Sequence, residues 1–415
     1  MIAMNELLTF LETSYSAYHT VENAKKLLLE NGFTALTEGE KWELTDGGKY
    51  FVTRGGSSLI AFTIGPCEGF KLVASHTDSP CFKLKENPVM NGAFPRLNVE
   101  PYGGGVWYTF FDRPLKIAGR VVRDTDGALR AEPYSSDFNV TIPSLAVHMN
   151  RGVNENFAPQ LQTDLPLLGL GEKNFNDIIG EHISHELYLV PAEKPFYSGA
   201  DGELISSPRI DNLTSVYASL SALCGKTSGV CVCACLDSEE IGSHTYRGAA
   251  SDFLKSVLKR IANFAGLSEE EYLRALSTSL LISLDNAHSV HPNHPEKCDP
   301  TSRAIMGGGV VIKGHAGGAY TTDAVTSAVV KKLFDGAGVK YQTFYNRSDM
   351  RSGGTLGAIS LTQAGIPSVD LGLAQLAMHS AVETFAASDF DQLSKGLEAF
   401  FQSRITIDGD TATVE

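Results

Sequence analysis

The run SGVCVCACL, residues 228–236, is apolar at almost every position. A strand with one face in water alternates polar and apolar residues, whereas a strand that is apolar throughout is covered on both faces. Cys231, Cys233 and Cys235 alternate, which places their thiols on one face, where small side chains fit a core. The run therefore predicts a central strand of a sheet with helices on both sides. We interpret the three cysteines as packing residues rather than metal ligands.

The sequence on either side of this run alternates between helical and strand-like patterns. The stretch NLTSVYASLSALCG has helical spacing and ends at a glycine, residues 253–276 are typical of one or two helices, and a last helix is predicted around residues 390–401. Strands are predicted for residues 58–64 and 71–75 and for SLLISL, VVIK, KYQTF and IPSVDLG. Such alternation is typical of a mixed or parallel sheet with both faces covered. The predicted fold class is α/β, a three-layer α/β/α domain with a mixed sheet.

Residues 91–207 have a different composition. Three glycines at 103–105, short strand-like pieces such as LKIAGRVV, and Asp-Gly and proline turns indicate an all-β unit. The 415 residues are enough for two units of ordinary size. We therefore expect one discontinuous α/β domain, residues 1–90 and 208–415, interrupted by a β-rich insertion at residues 91–207.

The balance of charge excludes some classes of partner. The formal net charge is −14 at pH 7, and the chain has no basic run. Nucleic-acid binding needs a surface rich in lysine and arginine, so we expect peptide or small-molecule partners, no nucleic acid and no membrane. The first 33 residues lack the basic flank and apolar block of a secretory signal. Together with seven cysteines, an odd number, this predicts reduced thiols and a cytoplasmic location.

Ionisable residues follow the predicted strands at five places. Ligands of open α/β sheets bind beyond the carboxyl ends of the strands, so these side chains are expected to meet at one edge. Each alone has a plainer explanation, as a turn or cap residue or a hydrogen-bonded core histidine, but five together indicate a site. The residues are His76 and Asp78, Asp211, Glu239 and Glu240, Asp285, and His379.

Imidazoles and carboxylates gathered at one sheet edge need a cation among them, because unpaired charges are costly to bury. Mixed nitrogen and oxygen ligands suit zinc, with cobalt or manganese as substitutes. Five ligating side chains exceed the needs of one tetrahedral ion but suit two ions that share a bridging carboxylate, which we assign to Asp211. Glu239 and Glu240 point in different directions at their strand end. Glu240 can therefore bind one metal ion, while Glu239 serves as general base toward the water or hydroxide held between the two metal ions.

These motifs resemble those of the aspartyl aminopeptidase family. Members of this family are dodecameric relatives of the di-zinc aminopeptidases, which remove single residues from peptide N-termini. The matching stretches span residues 75 to 384 in the family's order: SHTDSP, SPRIDNLTS, DSEEIGS, DNAHSVHPN and MHSAVET. The resemblance implies a three-layer di-zinc peptidase domain with an inserted β-rich dimerisation domain, two zinc ions per subunit, and a homo-oligomer, a dodecamer built from dimers.

The resemblance also implies a role for each matching residue. One metal would be bound by His76, Asp211 and Asp285, and the other by Asp211, Glu240 and His379, with Glu239 as base. Asp78 would orient an imidazole. Among substrate contacts, His148 from the insertion would reach the active site of a neighbouring subunit, and further contacts would come from Lys313, Tyr320 and Asp349.

Substrate specificity is left open by the sequence. Lys313 and Tyr320 match positions that recognise acidic residues in the family, but the polar segment expected between them is replaced by GHAGGA. The residue released is therefore expected to be Asp or Glu, or a neutral residue such as Leu or Met. By analogy with related di-zinc peptidases, we also predict a cis peptide bond between Asp211 and Asn212.

Two other functions stay open. A metal-dependent carboxypeptidase or deacylase of the same fold would need a cation placed for a substrate carboxylate, and a non-catalytic assembly scaffold would not need Glu239. The triplet His288, His291 and His294 has the spacing of a ligand cluster, but Pro292 and Pro295 break the helix that would align it. We do not interpret that triplet as a metal site.

Overall fold

A nine-stranded mixed sheet lies at the centre of the part of the chain that the computed structural model describes, residues 2–169, 171, 173–350, 353, 354, 357, 359 and 365–415. Its four central strands run parallel, and antiparallel pairs flank them. The strands, in spatial order, are Thr34–Leu36, Lys49–Arg54, Ser58–Thr63, Val230–Leu236, Phe70–His76, Leu280–Leu284, Ser368–Gly372, Val310–Lys313 and Tyr341–Phe344.

Helices cover both faces of this main sheet, which confirms the three-layer α/β/α prediction. One apolar core lies between the sheet and five helices, and a second core lies between the opposite face and two helices. The first set is Ile2–Thr13, Ala17–Glu30, Ile210–Cys224, Ala324–Ala337 and Ala387–Gln402; the second is Phe253–Phe264 and Glu269–Ser277. None of the helices among the described residues is both long and apolar enough to cross a bilayer.

The strand Val230–Leu236 is buried at every position. Cys231, Cys233 and Cys235 point into the first core, and Val230 and Val232 into the second. The prediction of a strand covered on both faces is thus confirmed, and the cysteines are packing residues.

A six-stranded antiparallel sheet forms a second unit. Its spatial order is Ala128–Ser135, Leu115–Thr125, Ser184–Pro191, Cys81–Met90, Arg96–Tyr102 and Leu167–Leu168. Two short helices, Leu161–Asp164 and Phe175–Ile179, and a turn of 3₁₀ helix at Trp107–Phe110 accompany it. The strand Cys81–Met90 pairs within this sheet. It precedes residue 91, the position at which the sequence composition predicts that the β-rich insertion begins. The sheet starts there because the chain leaves the main sheet directly after His76.

A smaller five-stranded sheet connects distant parts of the chain. Its order is Phe196–Ser198, Leu204–Ser207, Glu383–Ala386, Ala374–Leu376 and Ala287–His288. The strand Leu204–Ser207 leads into the helix that carries Asp211, and Ala374–Leu376 leads into the turn that carries His379. This sheet therefore brings two of the predicted site residues together. Single turns at Glu239–Ile241 and Pro295–Lys297 and a hairpin, Ile405–Asp408 with Thr411–Val414, complete the described elements.

Candidate metal centre

Six of the sequence-predicted site residues meet at the carboxyl edge of the parallel strands. His76 ends one strand, Asp285 directly follows another, and Glu239 begins the turn after a third. Their ligand atoms form three overlapping groups, each within 4.8 Å: His76, Asp211 and Asp285; Asp211, Glu240 and His379; and His76, Glu239 and Glu240. We call the first two groups triad 1 and triad 2.

Asp211 joins the two triads through separate oxygen atoms. Its Oδ1 lies 3.5 Å from His76 Nε2, and its Oδ2 lies 3.3 Å from His379 Nε2. The outer carboxylates lie at similar distances, with Asp285 Oδ1 3.5 Å from His76 Nε2 and Glu240 Oε1 3.5 Å from His379 Nε2. Asp211 therefore belongs to both groups, which is the position that a bridging aspartate would occupy.

The buried oxygens of this cluster indicate that it is built for cations. Asp211 Oδ1 and Glu240 Oε1 are buried and have no hydrogen-bond partner among the described residues. A buried carboxylate oxygen without a donor is costly, and a cation would satisfy it. Two imidazole nitrogens and three carboxylates, divided into two triads, are a donor set that suits zinc. The residues therefore fit a pair of divalent ions.

Both imidazoles are oriented by backbone carbonyl groups. His76 Nδ1 lies 3.0 Å from the carbonyl oxygen of Asp78, and His379 Nδ1 lies 2.8 Å from the carbonyl oxygen of Gly104. A carbonyl can only accept a hydrogen bond, so each Nδ1 carries the proton. In the neutral imidazole, the Nε2 atom that faces Asp211 then carries the lone pair, which is the arrangement that metal-binding histidines need. Without a metal, hydrogen bonds to Asp211 raise the pKa of both imidazoles against the effect of burial.

Asp78 acts on the backbone of the two glutamates. Its Oδ1 accepts a hydrogen bond from the Glu239 N–H at 3.1 Å, and its Oδ2 accepts from the Glu240 N–H at 3.2 Å and from the Tyr102 hydroxyl at 2.8 Å. Asp78 therefore positions the turn Glu239–Ile241 as well as His76.

Glu383 is a functional residue that the sequence reasoning did not identify. Its side chain is buried and accepts hydrogen bonds from the backbone N–H groups of Asp211, at 2.9 Å, and His379, at 2.7 Å. It therefore fixes the main chain of the shared ligand and of one triad 2 ligand. The available signal was a glutamate within the motif MHSAVET itself, at the start of a strand.

The peptide bond between Asp211 and Asn212 is cis, which confirms the prediction for this position.

Burial, together with neighbouring carboxylates, raises the pKa values of the glutamates in this centre. Burial raises the pKa of Glu239 to about 8, with His76 acting in the opposite direction and Asp285 adding to the rise. Burial also raises the pKa of Glu383 to about 8 and that of Glu240 well above its usual range, in both cases with the charge of Asp211 adding to the rise. Bound cations would lower these pKa values again. Without them, the folded chain keeps protons at the centre that an unfolded chain would release.

We expect the metal-free protein to become less stable as the pH rises from about 4.5 to about 8. The folded pKa values of Glu239 and Glu383 lie above their ordinary value of 4.5, so the stability that they contribute is fully present below 4.5 and is lost as the pH rises through about 8. The loss is about 1.4 kcal/mol of unfolding free energy per pH unit for each proton involved. Asp211, whose pKa is lowered, acts in the opposite direction only below its ordinary value of 3.8. His19, His185 and His288, whose pKa values are lowered by burial, offset part of the loss below their ordinary value of 6.5. The raised pKa values of His76 and His379 add to the loss above 6.5.

Thermal unfolding in the presence of a chelator, followed by circular dichroism across this pH range, measures the effect. Zinc-loaded protein is the control, because bound zinc replaces the protons and should flatten or reverse the slope. A midpoint temperature of the metal-free protein that stays constant or rises over this range would contradict the expectation.

The predicted substrate-contact residues occupy different places. Lys313 is buried beside triad 1: its Nζ donates to the Asn286 carbonyl at 3.2 Å and lies 3.9 Å from Asp285 Oδ2. Tyr320 is next to it, with 4.9 Å between the ammonium and the ring centroid. Asp349 is exposed and forms an ion pair with Arg347 at 2.7 Å. His148 is exposed on the second unit and is not part of the cluster within this chain.

The histidine triplet is not gathered into one site. His288 ends the short strand Ala287–His288, three residues after the triad 1 ligand Asp285, and its side chain is exposed and belongs to neither triad. His291 and His294 face each other with ring centroids 5.2 Å apart, and His294 contacts Glu296. The strand that contains His288 pairs with Ala374–Leu376, which leads into the turn that carries His379.

Comparison with known proteins identifies close relatives. A family model described as aminopeptidase I zinc metalloprotease (M18) matches residues 10–182 and 165–401. The chain is 42% identical over 425 residues to a probable M18 family aminopeptidase 2 of Clostridium acetobutylicum, covering 95% of this chain and 98% of that protein. It is 37% identical over 424 residues to a protein of the same name from Pseudomonas aeruginosa, covering 96% and 97%.

Solved structures resemble the whole chain. The cryo-EM structure of the Ape4 and Nbr1 complex contains a chain that superposes with a TM-score of 0.91 at 32% identity, covering 96% of this chain and 85% of that one. The structure of the S. cerevisiae mApe1 dodecamer matches with a TM-score of 0.82 at 26% identity, covering 96% of both chains.

Proposed function

This chain belongs to the M18 family of zinc metallo-aminopeptidases, and on that premise we propose that its two triads form a two-zinc centre that releases single N-terminal residues from peptides. The chain is accordingly a zinc-dependent aminopeptidase. The observation that carries the proposal for the centre is the shared Asp211, which offers a separate buried oxygen to each histidine of the cluster.

The ligands divide between the two ions as the triads do. His76, Asp211 and Asp285 would hold one zinc, and Asp211, Glu240 and His379 the other. Cobalt or manganese would suit the same donors. Zinc bound there supplies a Lewis acid that polarises the scissile carbonyl group and lowers the pKa of a coordinated water.

Glu239 is the residue to which we assign proton transfer. Its carboxyl group lies beside His76 and Glu240, within reach of the centre but outside both triads. The hydrogen bond from its N–H to Asp78 holds the turn in place. A general base has to lie within hydrogen-bond reach of the proton that it takes, directly or through one water. We therefore propose that Glu239 accepts a proton from the attacking water and returns it to the leaving amine.

The N-terminal residue that we propose is released is either acidic, Asp or Glu, or neutral, such as Leu or Met. Lys313 and Tyr320 adjoin triad 1, which supports a contact with the side chain of the first substrate residue. A carboxylate of Asp or Glu would pair with the Lys313 ammonium, whose pKa is raised by Asp285 and its other charged neighbours against the effect of burial. That ammonium already has Asp285 as a neighbour, which would instead favour neutral residues such as Leu or Met. Asp349, exposed and paired with Arg347, is a further candidate for a substrate contact.

Hydrolysis of aminoacyl chromogenic substrates by the zinc-loaded and cobalt-loaded protein tests the proposal. We expect cleavage of substrates with a free amino terminus and none of the same substrates after N-acetylation. Preference for glutamyl and aspartyl substrates would support recognition by Lys313, whereas preference for leucyl or methionyl substrates would support a neutral pocket. Release of C-terminal residues or of acyl groups would instead identify a carboxypeptidase or deacylase. No cleavage at all would favour the scaffold function.

We also propose that the chain forms a homo-oligomer, a dodecamer built from dimers through the β-rich insertion at residues 91–207. A relative of known structure is a dodecamer. On the second unit, three large apolar side chains surround His148 and are exposed: Leu145 at 56%, Val147 at 51% and Met149 at 75%. Contact with a neighbouring copy would cover them and bring His148 to that copy's centre.

The seven cysteines form no disulfide among the described residues, which supports a cytoplasmic location.

A further inference from the structure

The segment YGGGVWYTF, residues 102–110, links the second sheet to the metal centre. It begins at the last residue of the strand Arg96–Tyr102 and ends in the 3₁₀ turn Trp107–Phe110. In the sequence its three glycines mark only a change of composition. In the structure the segment lies against three residues of the centre, and we call it the glycine segment.

The first contact is made by the Tyr102 side chain. Its hydroxyl donates a hydrogen bond of 2.8 Å to Asp78 Oδ2, the oxygen that also accepts the Glu240 N–H. The Tyr102 ring packs edge-on against Tyr188 of the same sheet, with centroids 5.4 Å apart. The second unit thereby holds the carboxylate that positions the two glutamates.

The second contact is steric. Gly103 has φ +75°, and a Cβ atom added there would lie 3.0 Å from the Glu240 Cβ and 3.4 Å from its Oε2. Residues other than glycine rarely adopt this backbone conformation. The main chain of Gly103 thus packs directly against one ligand of triad 2, and a Cβ atom at this position would press on Glu240.

The third contact holds the other outer ligand of triad 2. The Gly104 carbonyl oxygen accepts the His379 Nδ1 hydrogen bond at 2.8 Å, and the Val106 N–H donates to the His379 carbonyl oxygen at 2.9 Å. Two residues beyond His379, the Ala381 N–H donates to Thr109 Oγ1 at 2.9 Å. His379 itself has φ +66°, an uncommon value for a residue with a side chain, so its position depends on such tethers.

These contacts are not shared equally between the two triads. His76 ends a strand of the main sheet and Asp285 directly follows one, so the main sheet places the outer ligands of triad 1. Glu240 and His379 lie on a turn and a loop, and both touch the glycine segment. We propose that the glycine segment positions triad 2, so that the inserted unit controls the affinity of one of the two zinc ions. The inference rests on the proposed two-zinc centre.

The test compares Gly103→Ala with Gly127→Ala by titrating zinc against a chelating indicator. Gly127 has nearly the same backbone conformation, φ +81°, in a hairpin of the same sheet, but a Cβ there would meet nothing within 4 Å. The control therefore separates the strain of a left-handed alanine from contact with Glu240. For Gly103→Ala we expect one zinc to bind about 10- to 100-fold more weakly and the other to keep its wild-type affinity, as for other residues that support a ligand. Gly127→Ala should bind both as the wild type does.

Tyr102→Phe provides a second variant in case Gly103→Ala does not fold, with Tyr188→Phe as its control. Tyr102→Phe removes only the hydroxyl to Asp78 and should also weaken zinc binding, whereas Tyr188→Phe should not. Two zinc ions bound with wild-type affinity by both Gly103→Ala and Tyr102→Phe would overturn the inference and leave the proposed function intact. Equal weakening of both ions in Gly103→Ala would contradict the selective role. A wild-type chain that binds no zinc would overturn the proposed function, and this inference with it.

Discussion

Glu239→Gln is expected to lower kcat by a factor on the order of 100 to 10,000 while the protein keeps both zinc ions. Glutamine has nearly the same size and can accept a hydrogen bond, but it cannot take up and return a proton. Glu239 lies outside both triads, so its replacement leaves every proposed ligand in place. The substitution also removes one acid from a centre in which burial raises the pKa of Glu239 to about 8. The folded protein should therefore be at least as stable as the wild type.

The measurement is kcat on the best substrate of the aminoacyl panel, with zinc content determined on the same sample. Glu270→Gln, a change of the same type at an exposed position of the helix Glu269–Ser277, is the matched control and should behave as the wild type. If Glu239→Gln kept the wild-type kcat, proton transfer would have to be assigned to another group. If it lost zinc as well as activity, Glu239 would be a ligand rather than the base.

Asp211→Asn is expected to abolish measurable hydrolysis and to leave at most one zinc bound per chain. Asp211 directs one oxygen toward each histidine, at 3.5 Å and 3.3 Å. An asparagine supplies a single neutral oxygen, and its amide nitrogen would face the second cation or imidazole with hydrogen atoms rather than a lone pair. Both triads lose their shared anion at once, so the effect should exceed that of any other ligand.

Metal analysis and thermal unfolding with and without zinc measure this effect. For the wild type, zinc at about 100 times its Kd should stabilise the folded state by about 2.7 kcal/mol per site, and Asp211→Asn should lose most of that gain. Asp285→Asn, which alters triad 1 alone, is the comparison and should retain one zinc. If Asp211→Asn still bound two zinc ions, the assignment of Asp211 as the shared ligand would be wrong.

The positions of the proposed ligands in the chain follow from sequence patterns that are local. A strand that is apolar on both faces has to be central, and the residues that follow central parallel strands have to meet at one edge. His76, Glu239 and Asp285 could therefore be placed near one another without coordinates, and their residue types indicated a divalent metal. The division into two ligand sets came from the resemblance to a known family, and the structure brings the same residues into two groups.

The residues that support these ligands could not be found in this way. Gly104 and His379 are 275 positions apart, and Thr109 and Ala381 are 272 positions apart. A backbone carbonyl or N–H group that fixes an imidazole is present at almost every residue, so nothing in the local pattern distinguishes Gly104 or Val106. Glu383 is similar: its role depends on two N–H groups that face it only after the five-stranded sheet has formed.

The three layers, the edge of the sheet that carries the chemistry and the kinds of side chain gathered there could be predicted without coordinates, because periodicity and strand ends are properties of neighbouring residues. Three other features are visible only in the folded chain: the antiparallel sheet starts at Cys81, a segment of that sheet touches Glu240 and His379, and Lys313 lies beside Asp285. These contacts join residues far apart in the chain. Their geometry depends on how separately formed units pack, and no local pattern records that packing.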